Sequence, residues 1–81
     1  MGYPYEIADL AEKHGRLDLA ERYYGRIADK IPENPWLRFK QAAMRAQLGR
    51  AVEARTLIEA LLQRAPGFGP AVELLKTLPP A

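Results

Sequence analysis

The sequence predicts an all-α fold: two antiparallel helix-turn-helix hairpins followed by a shorter capping helix. Three observations predict it. The chain repeats itself at an offset of 34 residues, which links Ala8 to Ala42, Gly15 to Gly49, Arg16 to Arg50, Ala20 to Ala54 and Pro32 to Pro66. Self-similarity at that period is the signature of stacked helical hairpins. Apolar residues recur at three- and four-residue spacing, the period of a helix. No segment alternates at period two, so no strand is expected.

Each element follows from its own residues. Pro4 suits the first turn of a helix, where its missing N–H is not needed. Ile7, Ala8, Leu10, Ala11 and His14 then give an apolar stripe, and Gly15 ends the first helix as a left-handed C-terminal residue. Asp18 and Glu21 open the second helix, where carboxylates meet the positive end of the dipole. Leu17, Ala20, Tyr24, Ile27, Ala28 and Ile31 form its inner stripe. Gly25 lowers helix propensity by about 1 kcal/mol, but the stripe stays in phase on both sides and predicts no break. Pro32 stops this helix. In Glu33-Asn34-Pro35, Asn34 is an N-cap and Pro35 the first helical residue.

The third helix is expected over about 35–48, with Leu37, Met44 and Leu48 on one stripe and Trp36, Phe39 and Ala43 on another. A helix apolar on two faces packs on two sides. Gly49 ends it. The fourth, about 51–64, turns Ala54, Leu57, Ile58, Leu61 and Leu62 inward. Pro66-Gly67-Phe68-Gly69-Pro70 is a cluster of breakers. The capping helix is expected over 70–78, with Val72, Leu75 and Leu78 apolar. The organisation is thus a single domain, 1–81, with repeats at 3–34 and 35–68. Ala20 and Ala54 are expected at the close contact between the two hairpins.

These residues resemble the tetratricopeptide repeat family. Its pattern is an aromatic, Leu-Gly and Tyr on the first helix, then Ala, an aromatic and a closing Pro on the second. In the first repeat these places hold Pro4, Ile7-Ala8 and Ala11, then Ala20, Tyr24 and Pro32. In the second they hold Arg38, Gln41-Ala42 and Arg45, then Ala54, Ile58 and Pro66. The second helices match well and the first helices depart from the pattern. Either the phase of 35–48 is shifted by a residue, or its arginine stems lie over apolar surface. The stretch Asn34-Pro35-Trp36-Leu37-Arg38-Phe39 resembles repeats of bacterial cellulose-synthase C subunits. The resemblance implies a right-handed solenoid fragment that binds proteins.

Composition restricts the chemistry. Cysteine and serine are absent and His14 is the single histidine. No thiolate zinc site, thiol nucleophile or serine triad is available. His14 reads as a half-buried packing residue or a helix C-terminal charge. Glu6, Asp9 and Glu12 recur at three-residue spacing and read as a solvated acidic face rather than an acid/base pair, which needs a pocket. Gly67-Phe68-Gly69 lacks the strand and Lys of a phosphate loop. No enzyme, cofactor or metal is expected. The arginines are scattered along the helices, which argues against nucleic acid. No apolar run approaches a membrane span. The first residues lack the basic and apolar regions of a signal peptide, which leaves a cytoplasmic location as the default.

Protein recognition remains. In the family the first helices of successive hairpins line a concave groove for an extended peptide or a helix. Mapped onto this sequence, the groove takes Tyr5, Glu6, Asp9 and Glu12 from the first helix and Trp36, Phe39, Lys40 and Ala43 from the third. Glu73 and Thr77 come from the last. The reading is an acidic wall beside an aromatic platform, suited to a basic, apolar partner. Clamping of a partner's C-terminal carboxylate, known in some members, is not implied, because Asp9 occupies one of the places that would have to receive it. The first 34 residues carry net charge −2 and the remainder +4. Complementary ends and an uncovered first hairpin, with Tyr3, Leu10, Leu19 and Tyr23 partly exposed, allow a homodimer. The alternative function is a self-assembling repeat unit.

Overall fold

A computed structural model describes residues 4–79. Five helices follow one another: α1 (Pro4–Lys13), α2 (Leu17–Lys30), α3 (Pro35–Gln47), α4 (Ala51–Arg64) and α5 (Gly69–Thr77). Among the described residues there is no strand.

The two hairpin turns are copies of one another. Gly15 and Gly49 take φ of +76° and +83°, the left-handed region that a side chain would strain. In the first turn Arg16 N–H donates to Ala11 O at 2.8 Å and Gly15 N–H to Glu12 O at 3.0 Å. In the second, Arg50 N–H donates to Arg45 O and Gly49 N–H to Ala46 O, both at 3.0 Å. This paired closure satisfies carbonyls that the helix end leaves free. Pro32 and Pro66 shape the remaining connections. Asn34 caps α3 as expected, its Oδ1 accepting from Trp36 N–H at 3.1 Å, with Pro35 at the first helical position.

Each helix packs on the next in sequence, and α5 also touches α3. One core joins Ala8 and Ala11 of α1, Ala20, Tyr24, Ile27 and Ala28 of α2, and Leu37 and Met44 of α3. A second joins Ala42, Ile58, Leu61 and Ala71, with Phe39, Leu57, Leu62, Phe68, Leu74 and Leu75 against it. Helix α3 faces both cores, as its two apolar faces require. Small residues at Ala8, Ala20, Ala42 and Ala54 are completely buried. They let paired helices approach closely within each hairpin.

Several expectations need correction. The hairpins meet through α2 and α3, whereas α4 packs against α3 and α5. Ala54 therefore serves its own hairpin and not the contact between hairpins. Ile7 does not join the inner stripe of α1 and is exposed, and Leu10 is exposed, as expected for the uncovered side of the first hairpin and not for the stripe. His14 lies in the turn after α1, exposed rather than half-buried. Ala43 packs on the first core with Leu37 and Met44. Helix α3 stops at Gln47, and α5 begins at Gly69 and leaves Leu78 as its C-cap. Helix α2 runs unbroken through Gly25. Tyr3 lies outside the described residues.

The arginines of α3 are not out of phase. Arg38, Gln41 and Arg45, at i, i+3 and i+7, form a polar line along the α2–α3 seam, beside the apolar contacts of Leu37 and Met44. Arg38 donates to Gln41 Oε1 (2.6 Å) and Asp29 Oδ1 (3.0 Å). Gln41 Nε2 donates to Glu21 Oε2 (3.0 Å), and Arg45 donates to the same oxygen (2.9 Å). Gly25 makes this possible: a Cβ there would sit 2.7 Å from Gln41 Nε2. The glycine that weakens the helix thus admits the amide that crosses the seam.

Candidate protein-binding surface

The structure sorts the expected groove residues into two groups. The first ties α1, α2 and α3 together. Lys40 Nζ lies 2.8 Å from Glu12 Oε1 and donates to Oε2 at 3.0 Å. Tyr24 OH donates to Glu12 Oε1 at 3.2 Å. The Lys40 ammonium stands 5.6 Å from the Tyr24 ring centre, and Tyr5 meets the same ring edge-on at 6.2 Å. Burial of Tyr24 and the neighbouring Glu12 carboxylate push its hydroxyl well above the ordinary phenol range, so it remains a donor. Glu12 is therefore not part of a solvated acidic face: its charge is compensated inside the fold.

The second group is aromatic. Trp36 meets Phe39 at 5.7 Å and Phe68 at 5.0 Å between ring centres, both at 85°. Phe39 and Phe68 complete the triangle at 5.9 Å and 69°. Edge-to-face contacts of this kind favour the ring quadrupoles and fix the rings against one another. Phe39 and Phe68 rest on the second core. Trp36 nevertheless keeps 52% of its surface exposed. An aromatic ring that is both fixed and open presents area to a partner at small entropic cost.

The remaining expected residues make contacts of their own at the surface. Asp9 pairs with Lys13 at 3.1 Å on the surface of α1. Glu6 is exposed. Glu73 pairs with Lys76 at 3.2 Å on the surface of α5, and Thr77 Oγ1 donates to Leu74 O at 2.7 Å. Thr56 Oγ1 likewise returns to its own helix, at Val52 O (3.1 Å). A separate recess of about 280 Å³, lined by Pro32, Arg38, Leu57, Ala60, Leu61 and Arg64, contains none of the expected groove residues. Among the described residues no cluster of three or more His, Asp or Glu is placed to hold a metal. Among them, too, no helix is long and apolar enough to cross a membrane.

Sequence reasoning missed two members. Phe68 was hidden in a run of helix breakers, yet a large apolar ring in a tight turn has to fold back onto a neighbouring helix. Tyr24 was read as core only. A buried tyrosine hydroxyl requires a partner, and Glu12, lying 12 residues before it, supplies that partner.

The charge imbalance of the two halves is compensated within the chain. Three ion pairs cross from the first hairpin to the second: Glu12–Lys40, Glu21–Arg45 and Asp29–Arg38, at 2.8, 2.9 and 3.0 Å.

A sequence profile described as tetratricopeptide repeat matches residues 11–80. The chain belongs to the tetratricopeptide repeat family. Repeats of this family form a non-catalytic fold that generally mediates protein–protein interaction. The chain is also similar to cellulose synthase operon protein C of Pseudomonas fluorescens (strain SBW25), at 41% identity over 61 residues. The match covers 75% of this chain and 5% of that protein. No solved structure matches the chain significantly.

Proposed function

We propose that this tetratricopeptide chain is a non-enzymatic recognition unit whose first-helix face receives a peptide or helix anchored on Trp36. The observation that carries the reading is the aromatic triangle, in which Trp36 is held edge-on by Phe39 and Phe68 yet stays half exposed. The partner is an apolar segment with basic residues beside it. Glu6 supplies the outward negative charge, Asp9 shares its charge with Lys13 at the surface, and Glu12 contributes little because Lys40 already neutralises it. Glu73, already paired with Lys76, is a peripheral contact. Electrostatics of this exposed kind steer encounter more than they set affinity.

Trp36 is the single tryptophan, so its fluorescence reports directly on the platform. Peptides selected from a random display library against the intact chain, then titrated by that fluorescence, test the reading. Trp36→Ala should weaken a selected peptide by about 2 kcal/mol or more, the range of interface hot spots. Its fold should persist, because half of the side chain is exposed, and circular dichroism checks this. Ligands rich in Asp and Glu, or undiminished binding after Trp36→Ala, would overturn the proposal. The competing reading, a self-assembling unit, buries Tyr5, Trp36 and Phe39 against a second copy. Solution mass across a hundredfold dilution separates the two.

A further inference from the structure

Among the described residues every carboxylate except Glu6 and Glu33 has an ion-pair partner, whereas Arg22, Arg26, Lys30, Arg50 and Arg64 have none. All of these bases but Arg50 stand on the second helices, α2 and α4. The positive charge that no carboxylate answers is therefore concentrated on helices that do not carry the Trp36 platform. Arg64 differs from the other bases in its surroundings. It lines the recess of about 280 Å³ beside Leu57, Ala60 and Leu61. It also lines an adjoining recess of about 270 Å³, which shares Pro32, Leu61 and Arg64 with the first.

The 34-residue register explains why this place is open. Leu57, Ala60, Leu61 and Arg64 of α4 correspond to Tyr23, Arg26, Ile27 and Lys30 of α2. On α2 the Arg26 guanidinium stands 6.0 Å from the centre of the Tyr23 ring, so a long side chain lies over that stretch of helix. On α4 a methyl group replaces the guanidinium and no aromatic ring stands at 57, which leaves an aliphatic floor beside a cation. Arg38 lines the same recess, but its two terminal nitrogens are committed to Gln41 and Asp29. Arg64 is thus the cation with donors to spare. Glu33 lines only the smaller recess, and among the described residues no carboxylate lines the larger. An aliphatic floor with one unanswered guanidinium selects a ligand that is anionic at one end and aliphatic along its length. The two volumes lie just below those of pockets that enclose a drug-sized molecule, so the ligand is a slim chain rather than a ring system.

We infer that the recess between Pro32 and α4 binds an aliphatic monocarboxylate of medium chain length, its chain on Leu57, Ala60 and Leu61 and its carboxylate on the Arg64 guanidinium. Neither recess contains a residue of the proposed peptide-binding face, so either reading can fail without the other. Titration of the intact chain with octanoate, followed by amide NMR, tests it. The shifts should saturate with a Kd of about 1 mM and centre on residues 57–65 and Glu33. Octylammonium, with the same chain and the opposite charge, should bind about tenfold more weakly. Acetate, which keeps the carboxylate and lacks the chain, should give no saturable shift there. Arg64→Gln should weaken octanoate about fivefold, the most that an exposed ion pair supports. Ala60→Glu sets a carboxylate four residues before Arg64, gives the guanidinium a partner within its own helix and should abolish octanoate binding. Position 60 is exposed, so this variant should keep the melting temperature of the parent. No saturable shift with octanoate, an equal response to octylammonium, shifts centred on Trp36, or undiminished binding in either variant would overturn the proposal. So would a peptide ending in a leucine carboxylate that binds here where octanoate does not, because the recess would then serve a protein terminus.

Discussion

The seam between α2 and α3 and the seam between α4 and α5 hold the same place in the 34-residue register and are built from different chemistry. Arg38, Gln41 and Arg45 become Val72, Leu75 and Pro79; Glu21, Gly25 and Asp29 become Arg55, Glu59 and Gln63. At these places the first seam is a chain of hydrogen bonds beside the apolar core, with one carboxylate oxygen, Glu21 Oε2, serving two donors. The second is an aliphatic contact on Ile58 and Leu61, with Arg55 moved to the edge, where it pairs with Glu59 at 3.4 Å and reaches Pro79 O at 3.4 Å. Backbone register therefore does not require one seam chemistry. What differs is how each seam fails. Loss of an aliphatic group removes buried area in proportion, whereas loss of one partner from a buried ion pair strands the other.

The sharpest test of that difference is at Glu21, whose side chain is 12% exposed. Glu21→Ala leaves Arg45 with Glu53 at 3.6 Å, which is itself largely exposed, and leaves the Gln41 amide without its acceptor. Nε of Arg45 is already buried without a hydrogen-bond partner, so nothing nearby takes up the loss. The cost should be about 2–3 kcal/mol in urea melts. Arg55→Ala, the same place in the other seam, should cost under about 1 kcal/mol, because its partner Glu59 is 56% exposed and stays hydrated when the guanidinium is removed. Equal costs at the two positions would mean that the seams do not differ in kind.

Local features of this fold were legible in the sequence and pairings between helices were not. Gly15, Gly49, Asn34-Pro35, Pro32 and Pro66 act within a few residues of themselves, so helix ends and the 34-residue register could be read directly. The two-faced pattern of α3 correctly placed it between two cores. Apolar spacing failed at Ile7 and Leu10 because periodicity groups apolar residues on a helix without knowing which neighbours exist. The candidate site was half legible. Trp36, Phe39 and Tyr5 were found as aromatics on first helices, but Glu12 and Lys40 are 28 residues apart and no local spacing announces that they neutralise each other. The arginines at 38 and 45 looked like departures from the family pattern, and they are the seam itself.

A smaller effect is expected at Gly25, and here the sign is informative. In an ordinary helix interior Gly→Ala gains about 0.5–1 kcal/mol. Gly25→Ala should instead lose about 1 kcal/mol, because the new Cβ would fall 2.7 Å from Gln41 Nε2 and 3.1 Å from its Cδ. Gln41 can move only by giving up Glu21 and Arg38. In a Gln41→Ala background the obstacle is gone, and the same substitution should become stabilising. A double-mutant cycle measured by denaturant melts reads this inversion. If Gly25→Ala stabilises the otherwise unaltered chain, Gln41 is not held where the seam requires it.

The smallest effect should come from the outer end of the same polar seam. Asp29 accepts from Arg38 at 3.0 Å, but its side chain is 74% exposed. An exposed ion pair contributes little, since water competes for both charges and ordering the side chains costs entropy. Arg38 does not depend on it: the other guanidinium nitrogen donates to Gln41 Oε1 at 2.6 Å, and the side chain, 27% exposed, retains access to water. Asp29→Ala should therefore cost no more than about 0.5 kcal/mol, and the difference should vanish in 1 M salt, where the screening length falls to about 3 Å. Glu21→Ala should keep most of its cost in the same salt, because a buried pair is screened much less. A loss of about 2 kcal/mol at Asp29 that persists in high salt would show that the three cross-seam acceptor contacts act as one cooperative unit. The contrast would then lie between whole seams and not between the buried and exposed ends of one.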